Sequence, residues 1–194
     1  MKHATSRMLF AYWDALRRER AAPDRADIQP GALRHVLADV FILELEADQP
    51  ALFRLAGTRC AALFGRDLRG AAFTSLWQAD RREEAAGYLQ TVTSETVGMV
   101  LGLTAHAESG AEVGLELLLL PLRYQARPHA RVLGALSPAC TPSWAGLVPV
   151  THVETRTRRV IIPNRLLRAS GPERDRAASV ERRRGLVVVE GGRA

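Results

Sequence analysis

Apolar residues along the chain change their spacing several times, and each change marks an element. Leu9, Trp13 and Leu16 recur at four- and three-residue spacing within residues 6–20, with Met8 and Tyr12 beside them and Arg17, Arg18 and Glu19 mostly opposite. This is one apolar stripe along a helix, which Pro23 ends. A helix of this length does not hold alone in water. It packs either on its own domain's sheet or against a second subunit. Residues 27–38, with Pro30 suited to a first helical turn and Leu33, Val36 and Leu37 as an apolar face, predict a second short helix. Two runs follow at 40–45 and 52–55, on either side of the turn at 47–50. Such a pair predicts a β-hairpin. Strict alternation along the second run puts Phe53 and Leu55 on one face and Arg54 on the other.

From Cys60 to Leu68 the apolar residues fall three and four apart, interrupted by Gly65 and Gly70, which predicts short helices that turn sharply. Gly57 and Gly65 are read as backbone positions that permit tight turns. Phe73, Leu76 and Trp77 are bulky but irregularly spaced. Residues 80–93 predict a longer helix, with Asp80 as N-cap, Glu83 and Glu84 in the first turn, and Ala85, Ala86, Tyr88 and Leu89 inward. Three strand-like runs come next, at 97–106, 113–122 and 131–137. Leu117 to Leu120 are apolar at every position, which predicts burial on both faces of the sheet. After Ser137 the prolines crowd together. Residues 158–162 form one more apolar patch, an added strand or a docking segment, and residues 164–194 read as a mostly disordered tail.

Several of these segments carry a resemblance when taken in order. They are Trp13 within YWDALRRER, PDRADIQP at 23–30, Phe41-Ile42-Leu43-Glu44, Phe53-Arg54-Leu55-Ala56-Gly57-Thr58 and Leu63-Phe64-Gly65-Arg66-Asp67-Leu68-Arg69-Gly70. The series resembles a family of small alphaproteobacterial PAS-domain proteins over roughly the first 140 residues. The resemblance implies an α+β fold: a PAS-like five-stranded antiparallel sheet with helices on one face and an N-terminal helical cap. The expected division is a cap at 1–38, a PAS core at 39–140, a docked or loose extension at 141–163, and a basic tail at 164–194. The implied role is non-enzymatic: a signalling or regulatory protein that acts through protein–protein contact and has no output domain of its own. The alternative is a small-ligand or redox sensor using the PAS cavity. The candidate lining of that cavity is Phe53, Leu55, Phe64, Phe73 and Trp77. The candidate interface, for a homodimer or a signalling partner, is Leu9, Trp13 and Leu16 together with the outer sheet face.

Charge modifies this picture only at one end. The net charge of +6 divides into −1 over the first 154 residues and +7 over the rest, so the basicity belongs to the tail. Arginine supplies 26 of the 27 basic residues, and the tail lacks aromatics, so stacking on bases is not open to it. Nucleic acid is an unexpected partner on that ground. No stretch approaches a membrane span or a signal peptide, and two cysteines form no disulfide framework, which together predict a cytoplasmic protein outside the membrane.

The chemistry-bearing residues are sparse. A haem-binding PAS domain takes a histidine from its long helix or just after it. Residues 80–93 have none, so His3, His35, His106, His129 and His152 read as surface or hydrogen-bonded residues. Cys60 lacks the Asn-Cys-Arg-like setting of a photoactive flavin domain and reads as a buried small apolar residue. Residues 65–70 imitate a phosphate loop but lack its Lys-Ser/Thr, and no serine sits in a Gly-x-Ser-x-Gly elbow. The expectation is no catalytic residue, no metal ligand and no tightly bound cofactor.

Overall fold

The apolar runs pair into one six-stranded antiparallel sheet of order β2-β1-β5-β4-β3-β6. The computed structural model describes residues 1–46, 48–124 and 127–162. The expected tail at 164–194 lies outside the described residues. Strands β1 (Val40–Glu44) and β2 (Leu52–Ala56) form the predicted hairpin. Strands β3 (Gly98–Ala107), β4 (Glu112–Tyr124) and β5 (Arg127–Pro138) form a meander whose last strand returns beside β1. Between the two groups lie α2 (Thr58–Phe64) and α3 (Arg82–Ser94).

The expected five strands become six, because β6 (Val150–Ile161) pairs along almost the whole of β3. The short apolar patch at 158–162 is only its end. Two bulges hide the rest of this strand from a period-two reading. The register slips between Gly102 and Leu103 and again between His106 and Ala107, so that Val150 and Val153, three residues apart, are both buried.

The sheet is apolar on both sides, as the leucine run at 117–120 predicts. On the concave side Leu117 and Leu119 join Phe41, Phe53, Phe73 and Trp77 under α2 and α3. On the convex side Leu118, Leu120 and Leu122 join Leu9 and Trp13 of α1 (Ala4–Arg17). Helix α1 ends at Arg18, where φ is +53°, several residues before Pro23. Its start is tied down by charge-assisted bonds: the N–H groups of Lys2 and His3 donate to the Glu116 carboxylate at 2.6 and 3.0 Å. Burial works against ionisation of Glu116, but these bonds outweigh it and hold its carboxyl below the usual range.

The second predicted helix is not α-helical. Residues 25–39 instead make three short 3-10 turns, Arg25–Asp27, Pro30–Leu33 and Leu37–Asp39. Pro30 supplies no N–H and Gly31 favours no helix, so the segment turns in pieces and lays Ile28, Leu33 and Val36 on the sheet. The last turn is pinned by Asp39, which is buried and accepts both Arg59 Nε and Nη2 at 2.6 Å and Thr5 Oγ1 at 3.2 Å. Asp39 thereby joins α1, the turn and α2.

Of the two turn glycines, Gly65 closes α2 in the left-handed region at φ +61°. Gly57, which precedes α2, is needed for a different reason. Its φ is ordinary, but a Cβ there would lie 2.2 Å from the Ala38 carbonyl oxygen. The predicted N-cap Asp80 falls instead in a 3-10 turn, Ala79–Arg81, that leads into α3.

Candidate functional site

The interior where a PAS-type cavity is expected is occupied by aromatic rings. Phe53, Phe64, Phe73 and Trp77 are all buried. Ring centroids step from Phe41 to Phe53 at 5.3 Å, Phe53 to Phe73 at 6.1 Å, Phe73 to Trp77 at 5.0 Å and Trp77 to Tyr88 at 6.5 Å. These separations are those of rings in mutual contact. The last two rings of the series are fixed by polar bonds. Trp77 Nε1 donates to Thr155 Oγ1 at 3.0 Å, and the Tyr88 hydroxyl donates to Glu84 Oε1 at 2.5 Å. Burial and that glutamate push the Tyr88 hydroxyl up to about 12. Four of the five predicted lining residues are therefore core packing.

Leu55, the fifth, is on the other side of the sheet. Ile42 pairs with Leu55 and Leu43 with Phe53, leaving Arg54 as the extra residue of a bulge. The bulge turns Leu55 to the convex side beside Arg54, where it is 47% exposed. Strict alternation fails at this one residue.

The predicted interface also changes role. Leu9 and Trp13 are fully buried against their own sheet, and Leu16 is half-buried. Trp13 Nε1 donates to the Pro121 carbonyl at 2.8 Å. Within the chain, α1 lies on its own sheet with Leu9 and Trp13 beneath it.

Helix α1 covers only part of the convex side. The remainder carries two adjoining cavities. One, about 540 Å³, is a mainly apolar groove between the 3-10 turns and the outer faces of β1 and β2, with Pro30, Leu33, Leu37, Val40 and Leu55 in its walls. Leu37 is 43% exposed there. The other, about 860 Å³, is walled by five arginines, Arg25, Arg54, Arg69, Arg123 and Arg131, with Asp24 and the apolar faces of Ile42, Leu55 and Tyr124. Sequence reasoning missed both. Residues 25–37 turn in unexpected pieces, and Arg54 and Leu55 share a face only because of the bulge.

Among the described residues, His3, His35, His106 and His152 line neither cavity, and the side chain of His129 lies outside the described residues. His3 caps α1 by accepting from Thr5 N at 3.2 Å, and His35 is exposed. His106 lies 3.2 Å from Glu112 and stacks on His152 at 4.6 Å. Among the described residues no group of His, Cys, Asp and Glu side chains is arranged to hold a metal ion.

Cys60 is buried, with Sγ donating to the Asp39 carbonyl at 3.2 Å, and burial followed by the nearby Asp39 charge pushes its thiol up to about 12. A thiol so shifted presents almost no thiolate near neutral pH. Ellman's reagent at mildly alkaline pH is expected to react rapidly with the exposed Cys140 alone in the folded protein, and with both thiols in urea. Rapid reaction of two thiols in the native state would show that Cys60 is accessible and reactive after all.

Among known proteins, a family model described as a PAS domain matches residues 1–137. No curated protein matches the chain. Solved structures that resemble it include a light-oxygen-voltage domain studied with a flavin analogue, at 14% identity and TM-score 0.45, covering 60% of this chain and 87% of that one. The dark structure of the Aureochrome1 blue-light photoreceptor LOV domain follows at 16% identity and TM-score 0.44, covering 61% of this chain and 87% of that one. The Rhodobacter sphaeroides LOV protein gives 12% identity and TM-score 0.42, covering 60% of this chain and 71% of its own. These values are too low to carry a functional property across.

Proposed function

Because the chain belongs to the PAS-domain family, we propose that it is a signalling or regulatory protein that works by binding another protein, not by catalysis or by a ligand held inside the PAS core. The observation that supports this reading most directly is the pairing of a ring-filled interior with an open apolar groove on the convex side. A sensor that reads a small molecule in its core needs space there, and Phe53, Phe73 and Trp77 occupy it. The groove, by contrast, exposes Leu37 and Leu55 in one wall system next to the edge strand β2. Two large side chains left nearly half in water within one concavity are what a partner's apolar residues would cover. The partner is a signalling protein or a second copy of the chain, met at this groove and not at the face of α1. This reading also places the protein in the cytoplasm; among the described residues no helix is long and apolar enough to cross a membrane.

The test uses the full chain and the variant Leu37→Glu/Leu55→Glu. Both residues are exposed, so the fold and its denaturation midpoint should stay close to the parent's. Sedimentation velocity over a wide concentration range reads self-association, and capture from native cell extract reads a foreign partner. The expected result is one association, of either kind, that the double variant loses. Association that survives the double variant would move the contact elsewhere, and a chain that associates with nothing would remove the reading.

A further inference from the structure

We propose that the arginine-walled cavity is a binding site for a small phosphate monoester with an apolar body. The arginine-rich composition explains why the basic residues are arginines. It does not explain why five of them, from five separate positions between residues 25 and 131, meet in one cavity. Three are already engaged. The Arg131 guanidinium pairs with Glu44 and lies over the Tyr124 ring at 4.3 Å from its centroid. Arg123 faces Asp24 at 3.7 Å, and Arg69 faces Asp67 at 3.8 Å. Asp24, the one acid in the wall, is further neutralised by Arg20 at 2.7 Å. Among the described residues the guanidiniums of Arg25 and Arg54 have no acid within ion-pair distance and no side-chain hydrogen bond.

Two uncompensated guanidiniums match the charge of one phosphate monoester, close to −2 near neutral pH. A single carboxylate would leave one of them unpaired. The guanidinium fork also suits phosphate oxygens in paired bonds. The rest of the wall sets the body of the ligand. Ile42, Leu55 and Tyr124 give the cavity an apolar side, and about 860 Å³ lies within the range of small-molecule sites. Leu55 and Arg54 reach this cavity together through the β2 bulge, so the bulge places a cation and an apolar contact side by side. Leu55 is shared with the groove, so the ligand is read by direct titration with the arginine variants, apart from any partner contact.

The probe is 1-naphthyl phosphate, titrated by calorimetry at low salt into the full chain, with inorganic phosphate and 1-naphthol as its two halves. The naphthyl ester is expected to bind at least about tenfold more tightly than either half, and to weaken as salt rises. Arg25→Ala and Arg54→Ala are each expected to lose about tenfold, the scale of one charge-assisted contact. Arg159→Ala, on the opposite edge strand β6, should leave affinity unchanged. Both arginines lie outside the core, so circular dichroism should report an intact fold in each variant. Vesicles of phosphatidylcholine with and without phosphatidic acid distinguish the source of the phosphate. Binding to the naphthyl ester without vesicle binding indicates a free metabolite, and binding to both indicates a lipid headgroup. The proposal is overturned if naphthol binds as tightly as its phosphate, if Arg25→Ala and Arg54→Ala bind like the parent, or if no titration shows heat.

Discussion

Trp13→Ala is expected to lower unfolding stability by about 3–5 kcal/mol, read as a shifted urea midpoint, while the sedimentation behaviour of the folded fraction stays that of the parent. The magnitude has three sources. Trp13 has no exposed surface, and its ring sits in the convex cluster with Leu118, Leu120 and Leu122. Phe10 stacks near it at 6.0 Å and the Arg17 guanidinium lies 5.7 Å from its centroid, so several groups lose a neighbour at once. Its indole N–H also satisfies the Pro121 carbonyl, which the truncation leaves without that donor. Helix α1, at 14 residues, has little stability apart from this packing. Trp13→Phe separates the contributions: it keeps most of the apolar contact and removes the bond, and should cost about 1–3 kcal/mol. Loss of association with an unchanged urea midpoint would instead mean that α1 is an interface and not a cap.

Phe73→Ala is expected to cost a similar amount, about 3–5 kcal/mol, for the opposite face of the sheet. Phe73 is fully buried and touches three rings of the interior series, with centroids at 6.5 Å from Phe41, 6.1 Å from Phe53 and 5.0 Å from Trp77. Removing it opens an apolar void in the place where a PAS cavity would be. Such voids stay dry and accept small apolar molecules. Benzene should therefore raise the thermal midpoint of the variant and leave that of the parent unchanged. Equal stabilisation of both would show that the parent interior already holds a usable cavity, and would revive the internal-sensor reading.

The elements that sequence made legible are those with unbroken periodicity. Leu117 to Leu120 alternate between the two faces, and their burial on both follows directly from the run. Leu9 and Trp13 sit four apart on α1 and meet the sheet as their spacing requires. Two of the elements that were not legible are strands interrupted by single residues. Arg54 in β2 reverses the face of Leu55, and the two slips opposite β6 scatter its buried positions among threonines and arginines. A bulge is set by pairing with a neighbouring strand, and that neighbour is distant in sequence. The candidate site depends on the same information. Its arginines come from 25, 54, 69, 123 and 131, and no local pattern connects them.

Strand β6 has a further consequence, which concerns solubility. Without it, β3 would be an outer strand ten residues long, with Met99, Leu101, Leu103 and Ala105 on one face and a full row of free N–H and C=O groups at its rim. Such a rim invites pairing with another chain and growth into aggregates. β6 takes over the outer position with a different surface. Glu154, Arg156, Arg158 and Arg159 stand along it, and two bulges bend its course. Charges and bulges on an outermost strand oppose strand-by-strand addition. The polar composition that conceals this strand from a hydrophobicity pattern is thus the property that lets the sheet end there.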